Sequence, residues 1–264
     1  MESTFISGLV QVTHYITLPG AAALFCVITF MLLLRKRGRL MMLSLSAALS
    51  LNLILKELFR VPGPWMAHPE NAPLTAEGGF AFPCAHTQAA AAVLCAFALT
   101  SGRRTVRFLC TAGIILTAAL RVTGGLQSAA DTAAGAAAGI LCAALLTRFF
   151  FFEKSIRSRV IASCIVFVFG LYTAIRFGNG WGAGLSLTAA VLGFTEKTFH
   201  RADGGRTGFG KIYGTFLAAG IYAGLYIILP FLIEWLLTPR WPGQTLIVFL
   251  ITFIPCLLKL FPVF

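Results

Sequence analysis

"LRVTGGLQSAADTAAG", residues 120–135, joins two apolar runs, and its reading decides the fold. Upstream lies a mostly apolar segment, 106–121. Downstream lies an Ala-rich one, 129–147. Arg121, Gln127 and Asp131 sit at the edges of these runs and between them. Ionisable groups beside apolar spans are costly and tend to be functional or paired. Apolar runs of this kind recur along the whole chain. Hydrophobic residues make up 58% of the 264 positions and charged residues 11%. A soluble domain carries about 25% charged residues. With a mean hydropathy of +0.86, the composition indicates a polytopic, all-α membrane protein and excludes water-soluble classes.

Nine spans are expected, at about 16–34, 40–58, 86–101, 106–121, 129–147, 158–175, 179–195, 212–236 and 244–262. Fifteen of the 21 basic residues fall in four alternate connections: "RKRGR", "GRRTVR", "RFFFFEKSIRSR" and "EKTFHRADGGRTGFGK". The positive-inside bias makes those connections cytoplasmic, with the N-terminus outside and the C-terminus inside a cell membrane. The first residues lack a basic n-region, so no cleaved signal is expected. Residues 1–15 fit a short interfacial helix. The net charge of +12 sits in short loops between spans and does not indicate nucleic acid. Six of seven Cys lie inside apolar runs, where Cys behaves as a small hydrophobe. Only Cys84 stands at a segment mouth. No Cys/His spacing suits a metal or a disulfide framework, so no metal and no cofactor are expected.

Three blocks carry candidate chemistry. "KELFRVPGPW" (56–65) closes the second span, "FPCAHTQ" (82–88) opens the third, and residues 120–135 link the fourth to the fifth. Together they resemble the type 2 phosphatidic acid phosphatase (PAP2) superfamily of membrane lipid-phosphate phosphatases. Its pattern is Lys-x6-Arg-Pro, then Pro-Ser-Gly-His, then Ser-Arg-x5-His-x3-Asp. The resemblance covers roughly residues 16 to 176. It implies a six-helix core over 1–176, leaving a three-helix extension over 177–264. It further implies fixed cations around a phosphoryl group, a leaving-group acid and a His nucleophile held by an Asp.

Against that pattern, Lys56, Pro64, Pro83, His86, Arg121 and Asp131 match. Gly63 stands where the first Arg is expected, Cys84 and Ala85 replace Ser-Gly, and Leu120 replaces Ser. Gln127 occupies the nucleophile's position. An amide nitrogen has no usable lone pair, so it cannot form a phospho-intermediate. Losing a nucleophile can cost about a million-fold in rate. Lys56, Arg121 and His86 nonetheless retain the makings of an outward-facing positive pocket. Arg60, four residues after Lys56, is expected on the same helical face. Gln127 can donate to a phosphate, and Asp131 can pair with Arg121.

The leading expectation is a catalytically impaired PAP2-like protein that binds, and moves or presents, lipid or isoprenoid phosphates at the outer leaflet. One alternative is an active phosphatase with a displaced nucleophile, Cys84 or His68. A third is a structural membrane partner with a vestigial site. Two GxxxG pairs, Gly135/Gly139 and Gly220/Gly224, mark packing seams, either internal or towards another subunit or membrane partner. "GRTGFGK" (205–211) resembles part of a phosphate loop but precedes Ile212 and follows no strand, so it reads as a basic loop. "RFFFFEK" (148–154) reads as an interfacial anchor.

Overall fold

The computed structural model describes residues 19–32, 35–63, 66, 80–152, 156–194, 221 and 241–257. Most of the expected eighth span lies outside these residues. So do residues 1–15, Pro64, His68, Gly220, Gly224 and the 205–211 loop.

Eight α-helices are described: α1 (Pro19–Met31), α2 (Arg35–Phe59), α3 (Ala85–Thr100), α4 (Arg104–Thr123), α5 (Ala129–Leu146), α6 (Ile156–Phe177), α7 (Trp181–Phe194) and α8 (Trp241–Leu257). A π-helical turn, Thr147–Phe152, extends α5. Among the described residues, four segments are long and apolar enough to cross a membrane: Arg35–Phe59, Arg104–Thr123, Ala129–Phe150 and Arg157–Phe177. The other four helices run 13 to 17 residues. The second expected span, 40–58, starts earlier, because the "RKRGR" cluster, read as a loop, is instead the opening of α2.

That basic opening is tolerated because its charges find partners. Arg39 donates from Nε to the carbonyl of Ala189 at 3.1 Å. Its guanidinium also lies 5.3 Å from the ring centre of Phe150, a cation–π contact. A buried charge without such partners would cost several kcal/mol, on the order of a whole domain's margin.

α2 is the hub, packing against α1, α3, α5, α6 and α7. Leu40, Met41, Met42, Leu43 and Leu45 anchor the apolar core, joined by Phe30, Val93, Phe150, Leu185 and Val248. The polar residues of α2 serve as inter-helix ties. Ser46 donates to the carbonyl of Gly182 at 2.6 Å. Ser50 accepts from the Thr173 hydroxyl at 3.3 Å. A further hydroxyl pair, Thr188 and Thr252 at 2.5 Å, joins α7 to α8. Apolar surface gives little drive between helices in lipid, so small residues and hydroxyl bonds carry such seams. α7, expected within the C-terminal extension, is thus packed directly onto α2.

α4 is peripheral. Its buried residues are Cys110, Thr117, Leu120 and Arg121, one stripe at helical spacing. Phe108, Leu109, Ile115 and Leu116 are exposed on its other faces. An apolar face of that extent suits hydrocarbon rather than water.

Candidate functional site

The three sequence blocks are tied to one another by backbone and amide hydrogen bonds. α2 ends at Phe59, and the Arg60 amide closes it by donating to the Lys56 carbonyl at 2.9 Å. Lys56 stands in the last turn, half-buried, where a cation complements the negative end of the helix dipole. Past the helix end the chain pairs with the approach to α3. Pro62 and Phe80 form an antiparallel bridge, and the Ala81 amide donates to the Val61 carbonyl at 2.8 Å. Gly63 is buried there.

Arg60 does not continue the helical face of Lys56. Its φ is +49°, in the left-handed region. The side chain is 64% exposed and its guanidinium pairs with the carboxylate of Glu57. The i, i+4 expectation presumes a helix that has already ended at this position.

Cys84 is the N-cap of α3, following a cis Phe82–Pro83 bond. Its amide donates to the Asp131 carbonyl at 3.0 Å, and its own carbonyl accepts from the Gln88 amide at 3.0 Å. Its thiol is wholly buried and accepts from the Thr87 hydroxyl at 3.4 Å. His86, in the first turn, is also buried.

The opening stretch, 120–135, folds as a helix–turn–helix. Gly124 ends α4, and Gly125 takes φ +69°, a conformation that glycine adopts without steric cost. The chain then doubles back so that the amides of Leu126 and Gln127 both reach the Arg121 carbonyl at 3.1 Å. Ser128 caps α5 reciprocally. Its hydroxyl accepts from the Asp131 amide at 3.1 Å, while Asp131 Oδ2 accepts from the Ser128 amide at 2.9 Å. The partner of the Asp131 carboxylate is therefore the helix cap, a Ser-x-x-Asp capping box.

Arg121 is the bulkiest of the nearly fully buried side chains, 2% exposed. Gln127 is 6% exposed, and its side-chain carbonyl is buried with no hydrogen-bond partner. Leaving such a group unsatisfied costs about 1–3 kcal/mol. Backbone bonds thus bring the segments that carry a buried guanidinium, a buried imidazole and the Gln127 amide to the junction of α3, α4 and α5. The guanidinium, the imidazole and the amide NH2 are donors of the kind that hold an anion, whereas the Gln127 oxygen is an acceptor. Among the described residues, no group of three His, Cys, Asp or Glu forms a metal-holding cluster.

Two further residues belong to this architecture and stand outside all three sequence blocks or unremarked within them. Asn52 donates from Nδ2 to the Pro83 carbonyl at 3.0 Å and to Gln88 Oε1 at 2.8 Å. Gln88 donates back to the Ala48 carbonyl at 2.9 Å. Their signal was two amides inside otherwise apolar spans, which need partners there.

The first GxxxG is filled from within the molecule. A β-carbon on Gly135 would meet the Cys84 carbonyl oxygen at 2.5 Å, and one on Gly139 would collide with the Gln88 carbonyl. No curated protein and no solved structure matches the chain. Residues 37–155, from the first turn of α2 to just past the π-helical turn, match the PAP2 superfamily. That stretch, somewhat under half of the 264 residues, holds Lys56, Cys84, His86, Arg121, Gln127 and Asp131, and is similar to the PAP2 superfamily.

Proposed function

We propose that this protein is a catalytically impaired PAP2 member that binds lipid phosphates, or isoprenoid phosphates, at the outer leaflet of a cell membrane. The observation that carries the reading is Gln127. In the resemblance it takes the family nucleophile's position; it is almost wholly buried, its backbone amide donates to the Arg121 carbonyl, and its side-chain NH2 is a donor to a phosphate oxygen. An amide can hydrogen-bond to a phosphate group but cannot be phosphorylated by it. Lys56, Arg121 and His86 supply positive charge and donors. Asp131 shapes the α5 cap instead of orienting a nucleophile. In this reading the shorter apolar helices are membrane-embedded members of a nine-span chain, N-terminus outside and C-terminus inside. Residues 177–264 then extend a core formed by 1–176.

In this reading Cys84, wholly buried and accepting from the Thr87 hydroxyl, is a packing residue and not the displaced nucleophile. The test is affinity for a short-chain phosphatidic acid, measured on the purified protein beside Lys56→Ala with Arg121→Ala. Binding that the double change abolishes supports the proposal. Equal affinity in both proteins refutes it.

A further inference from the structure

The peptide group between Pro83 and Cys84 is held at both of its polar ends. Its carbonyl accepts from Asn52 Nδ2 on α2 at 3.0 Å. Its N–H donates to the Asp131 carbonyl on α5 at 3.0 Å. That peptide opens α3, and its orientation sets the direction of the helix's first free amides. It also sets the positions of the Cys84 and His86 side chains, both buried within two residues of it.

Asn52 is itself locked. Its amide NH2 group also donates to Gln88 Oε1, and Gln88 Nε2 is occupied by the Ala48 carbonyl one turn earlier on α2. The bonds to Gln88 fix the amide orientations of both residues, since exchanging O and N at either would break two contacts. Asn52 and Gln88 are 3% and 1% exposed, so water does not compete for these bonds.

We infer that Asn52, locked by Gln88, is a positioning residue for the anion site: it aims the mouth of α3, and thereby His86, at the ligand. This inference rests on the binding proposed above. A ligand-free observable separates the two. Cys84 is wholly buried beside this peptide, so a rise in its alkylation rate is the expected sign that the clamp has opened.

The experiment uses the full chain in lipid nanodiscs. Asn52→Asp keeps the shape of the side chain but removes both donated bonds; Gln88→Leu removes the lock and serves where the first variant fails to fold. Ser46→Ala is the control, since it deletes a buried inter-helix bond from the same helix that runs to α7 and not to α3. Three quantities are read: maleimide labelling of Cys84 by peptide mass mapping, affinity for dioctanoyl phosphatidic acid, and the thermal midpoint. The expected result is at least a tenfold rise in Cys84 labelling and a tenfold loss of affinity for Asn52→Asp. Ser46→Ala should lower the midpoint and leave labelling and affinity unchanged. Labelling that stays at the wild-type rate in both clamp variants overturns the inference, and so does an equal rise in the control. If wild type binds no phosphatidic acid yet Cys84 responds to Asn52→Asp, the binding proposal fails and the clamp stands. If wild type binds and both clamp variants bind equally well, the clamp fails and the binding proposal stands.

Discussion

Gly135 faces Cys84 so closely that the Cys84 carbonyl oxygen occupies the space a β-carbon would need, 2.5 Å from where it would sit. The contact places the α5 backbone directly against the N-cap of α3. The same carbonyl accepts the Gln88 amide in the first turn of α3. Close packing and helix initiation therefore meet at one atom.

Gly135→Ala should force these two helices apart. Overpacking of a tight seam costs about 1–3 kcal/mol, and the neighbour here is backbone, which yields less than a flexible side chain. Thermal unfolding in detergent would read the loss. Gly102→Ala is the matched control, because a β-carbon there meets nothing within 4 Å.

Ser128→Ala removes one half of the α5 capping box. Loss of such a cap costs about 1 kcal/mol. Ser128→Asp retains an acceptor for the Asp131 amide but sets two carboxylates side by side, so it should recover only part of the loss. Midpoints of the three proteins, compared at one detergent concentration, decide the matter.

Restoring the family nucleophile should restore chemistry only if its cationic surroundings return too. Wild type and Gln127→His are expected to release no phosphate from phosphatidic acid above background. Gln127→His with Gly63→Arg should release it measurably, since a missing charge donor alone costs about 3 kcal/mol of barrier. Phosphate release by wild type would contradict the impaired-site reading.

The Thr188–Thr252 pair should show measurable coupling. Within membranes such hydroxyl pairs average about 0.6 kcal/mol, with a ceiling near ~1.7. A double-mutant cycle with Thr188→Val and Thr252→Val gives the value, and zero coupling would mean that each hydroxyl is satisfied by its own helix. One of the two must give its only proton to the other and forgo its own helix carbonyl, Gly184 for Thr188 or Val248 for Thr252, so a figure at or below the average is expected.

Much of the helical layout was legible because apolar runs act locally. The end of α2 near the first block, and that of α4 to within two residues, follow from such runs. The junction of α1 with α2 was not legible. A run of four basic residues in five reads as loop unless distant partners are known, and Ala189 lies 150 positions from Arg39. Asn52 and Gln88 escaped for a related reason. Each is one amide in an apolar segment, and only the three-dimensional pairing makes them a unit. The capping role of Asp131 was readable from Ser128 three residues before it. The family pattern drew attention to the same carboxylate for another purpose, as the partner of a nucleophile.

The ties of α2 also bear on how the protein is made. Arg39, Ser46 and Ser50 find their partners 150, 136 and 123 residues later in the chain. Synthesis proceeds at about 5–20 residues per second, so α2 is complete several seconds before α6 and α7 exist. Throughout that interval its hydroxyls and its buried guanidinium have no permanent partners. Until then the neighbours available to cover it are α1 and α3, the helices made just before and just after it.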